Sequence, residues 1–419
     1  MGPGEPPALK TAEGTAQMIA YFLKDALKSS ILSKAGALLA RPAIEKVRSH
    51  FDPRRYNGAL LLGLNGICVK SHGGTDEVGF AHAIQVGVNL VRRDLNDLIK
   101  EDITPVLTLH HFTNPVWFDK LGGFEKEENI DYFVSFCKVV FSKYSSKVKY
   151  WCTINEPEVY AVMGYFAGIF PPGKKNPQLA VEVLKNLLVS HTNVYRALKK
   201  LPNGKDSKIG IVKNIMQFDP YRRWNLLDWL VCRVTSKIYN GIALSYLKNG
   251  IIEVNYPFFV KMNYKSKDAA LATDFFGLNY YSHSHLKFKF DSYEFFENKY
   301  FSSDTMTDMP YAIYPEGLYR AIKQADKIKK PIIITENGIA DSKDDRRSLF
   351  IERYIYAMNR AIKEGSNIEG YFYWSLMDNF EWAEGYDMKF GLYEVDFNTQ
   401  ERTLREGSRR FVEIVNEQK

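Results

Sequence analysis

From about residue 102 onward, one rhythm governs the chain. Apolar, strand-like runs recur with helical stretches between them: ITPVLTLHH (103–111), VKYWCTINE (148–156), KIGIVKN (208–214), DFFGLNYY (274–281), PIIITENG (331–338) and IEGYFYWSL (368–376). Strands alternating with helices predict parallel βαβ units. Continuous apolar runs mark strands buried on both faces. Yet each run ends in polar or aromatic residues: His110–His111, Asn155–Glu156, Asn214, Asn279–Tyr281, Glu336–Asn337 and Trp374. Burying a charge is costly, so a carboxylate at the tip of a buried strand either meets solvent or is aimed into a site. In a (β/α)8 barrel the chemistry gathers at the C-terminal strand ends. Functional side chains repeated at one end of the sheet favour an aimed Glu336.

The bulk properties narrow the function. The chain has 419 residues, enough for one large or two ordinary domains. Its net charge of +7 includes no long basic block, so no nucleic-acid partner is expected. The longest apolar run, around Ala59 to Leu64, is too short to span a bilayer, and Met1 to Pro7 does not read as a signal peptide. Cysteines 68, 137, 152 and 232 form no C-x-x-C pair and read as reduced core residues of a cytoplasmic protein. No spacing of ligands around His110–His111 or His283–His285 supports a metal site, and no cofactor is expected. The aromatic content of 14% suits a large core and also suits stacking on sugars.

The first hundred residues follow a different pattern. Residues 12–50 read as helices, with Met18, Ile19, Phe22, Leu23 and Leu27 on one face. Residues 59–70 read as two short strands joined at Asn65–Gly66. SHGGTDE then leads into a helix whose buried side carries Phe80, Ile84, Val88, Val91, Leu95 and Leu98. Domains are therefore expected over residues 1–100 and 101–419.

Two glutamates, Glu156 and Glu336, end predicted strands. Across a barrel mouth their side chains would face one another. Paired carboxylates suit glycosidic bond cleavage: one protonates the leaving oxygen and the other stabilises or traps the oxocarbenium-like centre. Each motif also has a plain reading. Asn-Glu-Pro can open a helix, with Asn155 as cap and Pro157 in the first turn, and Glu-Asn-Gly can be an ordinary turn.

Residues 102–419 resemble family 1 glycoside hydrolases, of the β-glucosidase/β-galactosidase type. The resemblance rests on TPVLTLHHFTNPVWF, GGF, WCTINEP, GYFAGIFPPG, FFGLNYYS, IIITENG, YFYWSLMDNFEWAEGY and FGLYEVDF, in family order. It implies a (β/α)8 TIM barrel and a retaining double displacement, with Glu156 as general acid/base and Glu336 as nucleophile. It also implies that Asn155 binds the sugar 2-hydroxyl, Tyr281 holds the nucleophile ionised and Asn279 supports the acid/base. His111, which precedes an aromatic as in the family pattern, binds glycone hydroxyls, with His110 as the other register. Trp374 is the stacking platform, and Glu381 and Trp382 bind the distal hydroxyls. An acidic Glu381 resembles the branch acting on unphosphorylated sugars, since it would repel a 6-phosphate. The carboxylates are expected on neighbouring strand ends about 5 Å apart, the retaining separation.

A barrel of this family opens with a strand carrying a sugar-binding Gln and a second carrying an Arg near the nucleophile. Neither is found. Residues 8–99 instead resemble the C-terminal part of the phosphate acyltransferase family, through ALKTAEGTAQMI, LLARPAIEKVRSHFDPRRYNGALLLGLNGICVKSHGG and GFAHAIQVGVNLV. The expected fold is thus α/β, an incomplete TIM barrel of strands 3–8 with an unrelated, mostly helical N-terminal α/β fragment. The expected function is β-glycosidase-like hydrolysis of a small carbohydrate substrate, impaired by the missing barrel start. The alternatives are a non-catalytic sugar-binding remnant or an acyl-phosphate-forming transferase fragment.

Overall fold

The computed structural model describes residues 59–60, 69–70 and 103–417, apart from 257–259, 271, 291–294 and 398. The chain divides into two compact units: Met1–Leu60, Ile67–Arg93 and Pro115–Trp117 form one, and Leu61–Gly66, Asp94–Asn114 and Phe118–Lys419 the other. In the first unit Ala59 pairs with Lys70 and Leu60 with Val69 in antiparallel register, as the hairpin reading expects. The Asn65–Gly66 turn, the helices read over 12–50 and 80–98, Cys68 and the SHGG loop lie outside the described residues.

The second unit is built on a parallel sheet of six strands: β1 (Val106–Thr108), β2 (Tyr150–Asn155), β3 (Lys208–Asn214), β4 (Phe275–Asn279), β5 (Ile332–Asn337) and β6 (Ile368–Tyr373). Each arises from one of the six apolar runs. Their order across the sheet is their order along the chain. Helices link consecutive strands: α1 (Ile130–Tyr144), α2 (Pro177–Lys199), α3 (Leu226–Ser236), α4 (Ile242–Asn249), α5 (Pro315–Ala325) and α6 (Arg347–Lys363). α1 buries Ile130, Phe133, Cys137, Phe141 and Tyr144, a spacing of three and four that forms a single stripe. α2 starts where Asn176 accepts the Leu179 amide at 3.1 Å and Pro177 takes the first helical position.

The inner strands are dry. β4 is buried throughout, as are β2 beyond Tyr150 and β3 beyond Lys208. The edge strands differ. Among the described residues β1 pairs only with β2 and β6 only with β5, and Phe372 of β6 is 42% exposed. One antiparallel pair and one mixed sheet escaped the sequence reading. Ile251–Tyr256 pairs with Val260–Lys265, and His283–Phe288 joins Phe296–Lys299 and Gln217–Pro220 in a three-stranded sheet.

The strand tips are held by close backbone approach. A Cβ on Gly338 would overlap the Trp374 carbonyl, so the residue after the Thr335–Asn337 tip must be glycine. Gly338→Ala is expected to destabilise the fold by about 1–3 kcal/mol, the usual penalty of overpacking, read as a lowered Tm in thermal denaturation. An unchanged melting curve would show that the tip relaxes freely.

Candidate active site

Register places the polar tips at one end of the sheet. Asn155 stands opposite Val212, Asn214 opposite Asn279, and Asn279 opposite Glu336. Glu156 follows β2 in the left-handed region, with φ of 46°, a strained backbone for a non-glycine residue and of the kind that collects at functional sites. Its amide is anchored on the Val212 carbonyl at 2.9 Å.

The expectation of neighbouring strand ends is corrected: β3 and β4 lie between the strands that bear Glu156 and Glu336. Amides from those strands fill the interval. Asn279 Nδ2 donates to Glu156 Oε1 at 2.9 Å and Asn214 Nδ2 to the same oxygen at 3.1 Å. Asn279 is itself fixed, accepting from the Thr335 hydroxyl at 2.6 Å and donating to Asn155 Oδ1 at 3.2 Å. On the other side Tyr281 donates its hydroxyl to Glu336 Oε2 at 2.7 Å.

The electrostatics follow from burial. Burial pushes the Glu156 carboxyl up to about 7; the Asn279 amide opposes this, Glu158 adds to it, and Asn214 and Lys213 oppose it. Burial also raises the Glu336 carboxyl well above the ordinary range, and the charge of Glu156 adds to this. The hydrogen bonds of Tyr281 and Asn279 work against it, while Glu381 reinforces it. None of the groups named for Glu336 is a cation.

The remaining predicted residues close the rim. Asn155 Nδ2 donates to His111 Nε2 at 3.2 Å. Burial first, then His110, push His111 down to about 4, so its ring is neutral at pH 7 and carries its proton on Nδ1. The His111 ring lies 5.6 Å from that of Trp382, and Trp374 Nε1 donates to Glu381 Oε2 at 3.4 Å. Burial pushes Glu381 up to about 7, the Trp374 bond opposing it. Trp374 is half-buried rather than core, and its bond to Ser375 is cis. His110 instead packs among Phe124, Phe133 and Tyr160 and bonds Asn114 at 3.0 Å, away from the carboxylates. Thus His111, Asn155, Glu156, Asn279, Tyr281, Glu336, Trp374, Glu381 and Trp382 form one cluster.

The sequence reading named Asn214 only as a polar strand tip and missed Thr335, Glu158 and Lys213 as parts of this site. A lysine inside the apolar run KIGIVKN was the available signal. Among the described residues no three His, Cys, Asp or Glu are placed to hold a metal ion, and no helix is long and apolar enough to cross a membrane.

Comparison with known proteins gives this cluster a lineage. The family model for glycosyl hydrolase family 1 matches residues 78–419, and that for a fatty acid synthesis protein matches residues 7–98. The chain belongs to glycosyl hydrolase family 1 and is a glycoside hydrolase of the β-glucosidase type. It is 31% identical to β-glucosidase A of Acetivibrio thermocellus over 79% of this chain and 78% of that protein. It is 30% identical to a β-galactosidase of Pyrococcus woesei, covering 76% and 69%. Among solved structures, a β-glycosidase from Pyrococcus horikoshii superposes with a TM-score of 0.70 at 35% identity, covering 82% of this chain and 77% of that one. A β-glucosidase from Thermotoga maritima in complex with glucoimidazole gives a TM-score of 0.71 at 31% identity, covering 79% and 78%.

Proposed function

We propose that the chain carries the apparatus of a retaining β-glycosidase for β-glucosides or β-galactosides, on a barrel that lacks its first two strands. The observation that carries the chemistry is the pair of buried carboxylates beyond the strand ends, Glu156 under two side-chain amides and Glu336 under the Tyr281 hydroxyl. Glu336, gripped by the Tyr281 hydroxyl, attacks the anomeric carbon as the glycosidic C–O bond breaks. Glu156, with an acidity near 7, gives its proton to the departing oxygen. In the second step Glu156 takes a proton from water, the water oxygen attacks the anomeric carbon, and Glu336 leaves. His111, Asn155, Trp374, Glu381 and Trp382 hold the glycone. An ionised Glu381 repels a 6-phosphate, which favours unphosphorylated sugars.

The six strands correspond to the third to eighth of the family barrel, and residues 8–99 are akin in sequence to the phosphate acyltransferases. The edges of β1 and β6, without a partner among the described residues, support the gap. They also favour a second reading, a site that binds sugar without turning it over. The buried thiols of Cys137, Cys152 and Cys232 fit a reducing, cytoplasmic setting.

Glucoimidazole separates these readings from a dead fold. By calorimetry it is expected to bind the chain, and Glu381→Ala to weaken that binding; a folded chain that ignores the compound overturns the site. Incubation with an activated 2-deoxy-2-fluoro-β-glucoside is expected to label Glu336 covalently, seen by peptide mass spectrometry. Binding without labelling supports the non-catalytic reading.

A further inference from the structure

Lys213 stands in β3 after Ile209, Gly210, Ile211 and Val212 and is fully buried. An ammonium ion is expensive to take out of water unless its donors are satisfied. Here Nζ meets Glu158 Oε1 at 3.3 Å, the Asn214 carbonyl at 2.9 Å and the Tyr239 carbonyl at 3.1 Å, which uses all three donors. Glu158, fully buried as well, also accepts the Asn214 backbone amide at 2.7 Å. Tyr239 lies in the π-helical turn Lys237–Gly241 and gives its hydroxyl to Asn214 Oδ1 at 3.1 Å. Such turns inside helices occur often at functional sites.

Three of these contacts end on Asn214. Its amide nitrogen, its carbonyl and its side-chain oxygen are each held, and with Oδ1 occupied by a hydroxyl donor, Nδ2 is turned onto Glu156 Oε1. Asn279 Nδ2 takes the same oxygen. Two amides on Oε1 leave Oε2 as the oxygen that carries and releases the proton.

We infer that Lys213 and Glu158 are a positioning pair for Glu156, acting through Asn214 to assign its two oxygens and balancing each other's charge behind it. The inference rests on Glu156 being the acid/base. A buried ion pair adds little stability over well-packed apolar side chains, so core filling alone does not explain a Lys–Glu pair at this place.

The groups that face Glu156 are Glu158 from the turn after β2, Lys213 and Asn214 from β3, Tyr239 from the π turn, Asn279 and Tyr281 from the end of β4, Tyr311, and Glu336 from β5. Of these, Glu158 favours the protonated acid and Lys213 the ionised one. The pair therefore predicts opposite responses. The protein is labelled with 13Cδ-glutamate, and the Glu156 signal is assigned with Glu156→Gln and titrated. Glu158→Gln removes an anion and is expected to lower the Glu156 midpoint by about one pH unit; Lys213→Met is expected to raise it by about as much. Lys213→Met with Glu158→Leu returns it near the starting value. Asn214→Ala, which keeps the ion pair, raises the midpoint by removing a donor to the ionised form.

Midpoints that stay fixed, or that move the same way in both single variants, overturn the inference. Should either single variant fail to fold by circular dichroism, Asn214→Ala carries the test, and an unmoved midpoint there overturns it. The titration needs no turnover. A chain with no glycosidase activity but opposite shifts loses the glycosidase reading alone, and an active chain with fixed midpoints loses the positioning pair alone.

Discussion

Purified protein assayed with an aryl β-glucoside or β-galactoside is expected to turn over well below about one per second, the lower bound of ordinary enzymes. Three features converge on this. The edges of β1 and β6 lack a partner among the described residues, and unpaired backbone groups at a sheet edge are costly if buried and mobile if exposed. The family glutamine that holds the glycone is absent from the sequence, and binding energy at remote hydroxyls is what brings the anomeric carbon to the nucleophile. The family arginine is absent too, and burial together with Glu156 pushes Glu336 toward its neutral form. A protonated carboxyl is a poor nucleophile. Turnover near one per second or above would show that the N-terminal part completes the site.

Whatever activity remains is expected to vanish in Glu336→Gln, by about a thousandfold or more, since the glycosyl-enzyme step has no nucleophile. Azide should not restore the glutamine variant, whose amide fills the space. Glu336→Gly opens that space, and azide is expected to rescue it and to leave as the α-glycosyl azide, having entered where Glu336 stood. Wild-type turnover in Glu336→Gln would remove the assigned role.

The six parallel strands were legible because burial on both faces leaves a mark in the residues themselves: runs such as PIIITENG cannot be amphipathic. The tips were legible for the converse reason, since Glu156 and Glu336 break an apolar pattern at the same end of the second and fifth strands. The family resemblance supplied roles that spacing alone left open, including His111 over His110. In the structure His110 is enclosed by Phe124, Phe133 and Tyr160, and His111 lies against Asn155. Glu158 was not legible and Asn214 was legible only as a polar tip, because their meaning lies in contacts across 56 and 58 positions of chain. The strand pair Ile251–Tyr256 and Val260–Lys265 alternates between buried and exposed residues on a half-wet surface. It offered no continuous apolar run to find.

Chain order and spatial order coincide across the whole sheet, from β1 to β6. Among the described residues each strand of this sheet therefore bonds only to the sheet strands that precede and follow it along the chain, and one βα step is its unit. Such a sheet resembles a ribbon more than a closed ring. Exchanging the sequence ahead of β1 for that of another lineage changes the pairing options of the two outermost strands and rewires none between them. Glu336 lies in the fifth strand and Glu156 directly follows the second, and both strands are flanked on both sides. A catalytic centre built on interior links of a ribbon can thus outlast the replacement of one end, keeping its hydrogen bonds after the architecture that once enclosed it has changed.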